Sequence, residues 1–222
     1  MNKIKGIIFD LDGTLLDTLD DIMDAGNKVL EKLGIEKVEK EKYKEFIGDG
    51  IKELFSKLLN YRNAFSEENL IKSVELMKEE YSKRYLNKTK PYEGIYDLLD
   101  YLEKKETKMA ILSNKQHLFT KELVKFFFGK YNFIDIKGIE KPEDRKPNPK
   151  LALEIISNMK LNNEEVCLIG DSKTDILTAK NCKIISIGVT WGFKGIKELK
   201  EAEPSILVDK PEEIIKFLEL GG

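Results

Sequence analysis

Asp10 and Asp12 stand at the end of an apolar run in GIIFDLDGTLLDT, with Gly13 and Thr14 directly after them. Two carboxylates in that spacing can divide the work of an acyl-phosphate reaction. One attacks phosphorus; the other protonates the leaving oxygen and later takes a proton from water. Asp10, the last residue of the run, is the expected nucleophile, and Asp12 the expected acid and base. Read alone, DLDGT is also an ordinary turn, because Asp and Gly are common turn formers.

The elements that position this pair are legible as apolar runs. IKGIIFD, KMAILS, FIDIKGI, EVCLIGD, KIISIGV and SILVD are strand candidates with little alternation, the pattern of strands buried on both faces. Helical segments start near Gln116, Pro149, Lys173, Lys197 and Pro211, so the chain predicts an open three-layer α/β sheet, mainly parallel. Such sheets bind ligands at the carboxyl ends of their strands.

A census of those ends gives Asp10, Asp12 and Thr14 after the first run, Ser113 and Asn114 after the second, and Gly170, Asp171 and Asp175 after the fourth. DRKPNPK, between the third run and its helix, adds Lys146. Carboxylates converging there repel unless a cation joins them, and a hard divalent ion with oxygen ligands, Mg2+ by preference, resolves the conflict. Gly13 allows a sharp turn with backbone N–H groups facing a phosphate. Thr14 and Ser113 offer hydroxyls, and Lys146 would hold the charge that develops in the transition state. Taken singly, Asp171 and Asp175 are equally suited to a helix N-terminus, and Lys146 is an ordinary lysine.

One interval departs from the alternation. From about Leu16 to about Asn87 the text is amphipathic and helical, as in DDIMDAGNKVLEKLG and ENLIKSVELMKEEYSKRYL, with no strand candidate. The expected organisation is therefore a core from 1–15 and 88–222 with a helical insert over 16–87. Inside the insert, Gly48, Asp49 and Gly50 form a flexible loop that either reaches a substrate or simply turns the chain between helices. GVTWGF places Thr190, Trp191 and Gly192 at the same sheet edge as the carboxylates, where Trp191 also suits plain packing.

FDLDGTLLDT, LSN, RKPNP and GDSKTD, in this order, resemble the four motifs of the haloacid dehalogenase superfamily of phosphohydrolases, over essentially the whole chain. The resemblance implies a Rossmann-like core with a small all-helical cap inserted after the first strand. It implies Asp10 as nucleophile and Asp12 as acid and base, with Ser113 and Lys146 on the phosphate. Mg2+ would be held by the Asp10 carboxylate, the Asp12 carbonyl and Asp171, with Asp175 orienting the metal shell.

Within the superfamily, haloacid dehalogenases lack the second aspartate, phosphonatases need a cap lysine that forms a Schiff base, and sugar phosphomutases carry a cap histidine. Here Asp12 is present and His117 lies outside the insert. IGDGIKELFSKLL, SNK and GVTWGF most resemble the phosphoglycolate phosphatases. Hydrolysis of a small phosphate ester is the expectation, 2-phosphoglycolate first, with pyrophosphate or a sugar phosphate behind it. The competing class is a non-hydrolytic phosphoacceptor or phospholigand-binding module, although receivers have no long helical insert after the first strand.

Composition agrees with this class of chemistry. Over 222 residues, 38 Lys and Arg nearly balance 40 Asp and Glu, a net charge of -2 that points to neither nucleic acid nor a membrane surface as partner. No run approaches the length of a spanning helix and no apolar leader is evident, so a cytoplasmic monomer or homodimer is expected. A single histidine argues against zinc centres built on several histidines and against Ser-His-Asp hydrolysis. Cys167 and Cys182 have no metal-type spacing and suit buried free thiols.

Overall fold

The computed structural model describes residues 3–221. Among them the sequence pattern resolves into β1 (Gly6–Phe9), β2 (Leu16–Asp17), α1 (Leu19–Lys32), α2 (Lys40–Phe46), α3 (Ile51–Tyr61) and α4 (Glu67–Ser82). There follow β3 (Lys90–Pro91), α5 (Ile95–Lys104), β4 (Lys108–Gln116), α6 (His117–Phe128), β5 (Phe133–Ile139) and α7 (Lys150–Met159). The chain closes with β6 (Val166–Gly170), α8 (Lys173–Cys182), β7 (Ile185–Val189), α9 (Ile196–Glu201), β8 (Ile206–Val208) and α10 (Pro211–Glu219).

Six strands form one sheet in the order β5-β4-β1-β6-β7-β8, and each neighbouring pair is parallel. GIIF of β1 occupies the middle, where both faces must be covered. Ile8, Ala110, Leu112 and Leu168 pack on one face under Leu151, Ile155 and Met159 of α7 and Ala179 of α8. Ile7, Phe9, Met109, Ile111, Cys167 and Ile169, alternating with them, are buried equally deeply. Burial on both faces is why these strands read as continuous apolar text. Pro211 opens α10, where its missing N–H costs no hydrogen bond.

The register matters for function. β1 lies between β4 and β6, pairing Phe9 with Ile111 on one side and with Ile169 on the other. The residues that follow these paired positions, Asp10 after Phe9, Ser113 and Asn114 shortly after Ile111, and Asp171 shortly after Ile169, are thereby brought to one sheet edge.

The chain forms two compact units, one comprising the stretch through Leu16 and that from Pro91 onward, the other Asp17–Lys90. The second is helical, and Val29, Leu54, Phe55, Leu58, Leu70 and Met77 are buried in it. Gly26 of α1 packs so tightly against the buried Tyr43 ring that a Cβ there would overlap it. Asp21 is fully buried, and its Oδ2 accepts from the Thr89 amide and hydroxyl, both at 2.8 Å. This ties the start of the unit to its end. α5 and the two-residue strands β2 and β3 were not among the elements read from the sequence. Among the described residues no helix is long and apolar enough to cross a membrane.

Candidate active site

Asp10 follows β1 and keeps the ladder going for one more bond, its N–H donating to Ile169 O at 2.9 Å. The chain then turns sharply. Leu11 O accepts from the amides of Leu15 and Leu16 at 3.0 and 2.9 Å, and Gly13 adopts φ +86°. That conformation favours glycine, and a Cβ at Gly13 would lie closer than 3.0 Å to the Asp171 carboxylate. Contrary to the expectation that its amide faces a phosphate, Gly13 N–H donates to Leu16 O at 2.8 Å. Glycine is needed here for its φ and for the room it leaves to Asp171.

Beyond β6, Asp171 and Asp175 join Asp10 in a buried cluster whose carboxylate oxygens lie within 4.8 Å of one another. Asp175 sits in the first turn of α8, where its Oδ2 accepts from the Ser172 amide and hydroxyl at 3.1 and 2.6 Å. Its other oxygen lies 2.5 Å from Lys146 Nζ, which is also 2.7 Å from Asp10 Oδ1. Asp175 is thus both a helix cap and a member of the cluster. Gly170 lacks the Cβ that would strike it.

Burial raises the Asp10 carboxyl well above the ordinary value; Lys146 opposes this, and Asp175 and Asp171 add to it. Asp171 is pushed up to about 7, by burial first and then by repulsion from Asp175. Lys146 is itself buried, which would lower its value, but the Asp10 and Asp175 carboxylates outweigh that and hold it above the usual lysine range. Three buried carboxylates around one ammonium carry excess negative charge, and their hard oxygen donors fit a divalent cation such as Mg2+.

Asn114, singled out with Ser113 after the second apolar run, braces the lysine: its Oδ1 accepts from the Lys146 amide at 2.8 Å and its Nδ2 donates to Lys146 O at 3.3 Å. Ser113 is buried, and its hydroxyl accepts from the Lys115 amide at 3.2 Å. Thr14 is buried with a hydroxyl that has no hydrogen-bond partner among the described residues. An orphaned buried hydroxyl fits a group that would bind an oxyanion.

The Asp12 carboxylate is taken up by Lys115, whose Nζ donates to both of its oxygens at 2.8 and 2.7 Å. Sequence reasoning did not single out Lys115. Its signal was its place directly after Ser113 and Asn114 at a strand end. The expected specificity residues Gly48, Asp49 and Gly50 lie in the helical unit between α2 and α3, where Asp49 pairs with Lys57 at 2.8 Å. Cys167 and Cys182 are buried free thiols, pushed up to about 12 and about 11 by burial.

Comparison with known proteins agrees with this geometry. A family profile described as haloacid dehalogenase-like hydrolase matches residues 7–189. A phosphoglycolate phosphatase of Vibrio parahaemolyticus is 29% identical over 99% of this chain and 98% of its own. One from Aquifex aeolicus is 29% identical over 97% of each. A solved structure from Lactobacillus delbrueckii subsp. bulgaricus superposes with a TM-score of 0.91 at 29% identity, covering 97% of this chain and 98% of that one. The protein is a phosphatase and belongs to the haloacid dehalogenase-like hydrolase family.

Proposed function

We propose that the protein hydrolyses a small phosphate monoester through an aspartyl-phosphate on Asp10, with 2-phosphoglycolate the favoured substrate. The observation that carries this reading is the buried Asp10–Lys146–Asp175 chain with Asp171 beside it at one sheet edge. The choice of ester follows the names of the Vibrio and Aquifex relatives. Pyrophosphate and sugar phosphates stand behind it. The Gly48–Asp49–Gly50 loop is assigned to choosing between esters.

In the first step an Asp10 oxygen attacks phosphorus, the bond from phosphorus to the ester oxygen breaks, and Asp12 gives its proton to the departing alkoxide. In the second, water attacks phosphorus while the Asp12 carboxylate takes its proton. The bond from phosphorus to Asp10 breaks, and orthophosphate leaves with both aspartates restored. Lys146 holds negative charge on the phosphoryl oxygens, and Ser113 and Thr14 offer them hydroxyl donors. The Asp10 and Asp171 carboxylates and the Asp12 carbonyl would hold Mg2+, with Asp175 orienting the metal shell, and the ion would supply positive charge that lowers the repulsion between carboxylate and phosphate. Lys115 keeps the Asp12 carboxylate oriented.

The covalent step is tested by quenching the enzyme in mid-turnover and reducing it with borohydride, which converts a phosphorylated aspartate to homoserine. Homoserine at position 10 and nowhere else is the expected outcome. Turnover with no modified residue would refute the covalent route.

A further inference from the structure

The turn after β7 makes three successive contacts with the reactive residues. Trp191 Nε1 donates to Thr14 O at 3.0 Å. Gly192 has no Cβ, and one built there would lie closer than 3.0 Å to both Gly13 O and the Asp171 side chain. Phe193 N donates to Asp171 Oδ2 at 2.7 Å. The turn is anchored in its own right: Thr190 N donates to Val208 O at 3.0 Å and Thr190 Oγ1 to Asp209 Oδ1 at 2.5 Å.

From this geometry we infer that Trp191, Gly192 and Phe193 form a positioning brace that holds the Leu11–Leu15 turn and the Asp171 carboxylate in one register, with the Trp191 indole N–H as its adjustable member. The inference rests on the phosphatase reading for the roles of Asp12, Thr14 and Asp171. Its physical basis is that Thr14 O is otherwise a carbonyl at a sharp turn whose neighbours carry the chemistry. A displacement of about 1 Å in such a group lowers a rate on the order of a hundredfold. A ring that served packing alone would need no donor, whereas here the donor is spent on the one segment that carries Asp12 and Thr14.

Trp191→Phe keeps an aromatic ring and deletes the donor. The brace predicts kcat for an active phosphate ester lowered by about tenfold, KM within about twofold, and a thermal midpoint close to that of the parent protein. Trp191 is also the only tryptophan in the chain, so the emission of the unaltered protein reports the turn. Titration with Mg2+ and then orthophosphate is expected to shift that emission, and the shift is expected to vanish in Asp171→Asn.

An unchanged kcat in folded Trp191→Phe would overturn the brace, and so would emission that ignores Mg2+ and orthophosphate. If Trp191→Phe fails to fold, the emission titration of the parent protein decides alone. Failure of the parent protein to hydrolyse any ester is a different result. It would remove the phosphatase reading, while a Mg2+-dependent emission change would still stand for the brace.

Discussion

Lys115 Nζ binds both carboxylate oxygens of Asp12, at 2.8 and 2.7 Å, and the two side chains are only 6% and 17% exposed. A two-point contact from a buried ammonium fixes the carboxylate plane as well as its position. Asp12 is thereby aimed by a residue from the next strand of the sheet. Lys115→Met is expected to lower kcat by about tenfold to a hundredfold, part of the about 10²–10⁴-fold that a positioned general acid supplies, with a smaller effect on KM. Lys115→Arg, which retains the charge, is expected to recover part of the loss. Steady-state kinetics on both variants check this, and equal kcat for Lys115→Met and the parent would contradict it.

Lys146 neutralises part of a cluster that would otherwise hold three buried carboxylates, being 2.7 Å from Asp10 and 2.5 Å from Asp175. Breaking a buried ion pair by removing one partner costs about 3–5 kcal/mol. Lys146→Met is therefore expected to melt well below the parent in chelator, and to gain more than the parent from added Mg2+, because a cation then has more charge to offset. Differential scanning calorimetry with and without Mg2+ measures both. Identical midpoints for the two proteins in chelator would show that the lysine does not hold the cluster together.

Glu80 gives the helical unit a pH dependence. Its side chain is only 3% exposed and lies 2.7 Å from Lys32 Nζ, with Arg84 bonded to its other oxygen. The Lys32 hydrogen bond leads in pulling the carboxyl down to about 2; burial opposes it and Arg84 assists. A folded value below the unfolded one stabilises the folded state above the unfolded value. That contribution is lost as pH falls from about 4.5 toward about 2. Glu80→Gln is expected to cost about 1–3 kcal/mol near neutrality, with the gap to the parent closing across that window. Urea denaturation at several pH values tests it, and a gap independent of pH would contradict the assignment.

The parts of the site that could be read from sequence are those that follow apolar runs. Asp10 and Asp171 each stand directly beyond a buried strand, and Ser113 follows the apolar part of β4; in a parallel sheet that position alone predicts a shared edge. The central strands were legible for the same reason: runs such as VCLIG, buried throughout, leave little room for polar residues, whereas FIDIKGI of β5 is buried only at Gly138.

What escaped depends on contacts that spacing does not encode. Asn114 was legible as a strand-end residue beside Ser113, but nothing in the spacing shows that both ends of its amide bond the Lys146 backbone, 32 residues away. Lys115 stands in SNK without any spacing that links it to Asp12, and only the fold brings the two together. β2 and β3 have two residues each, too few for any periodicity. α5 is a different case. Ile95, Leu98, Leu99 and Leu102 are buried at helical spacing, a pattern present in the sequence but overshadowed by Pro91 and Gly94 just before it.

In the proposed reaction Asp10 carries the phosphoryl group from a small ester to water. The most direct measurement is orthophosphate release from a panel containing 2-phosphoglycolate, pyrophosphate, several sugar phosphates and an aryl phosphate, with Mg2+ and in chelator, for the parent protein and Asp10→Asn. Mg2+-dependent release, highest in kcat/KM for 2-phosphoglycolate and abolished in Asp10→Asn, is expected. Release that survives in folded Asp10→Asn, or a folded parent protein that turns over none of the panel, would contradict it.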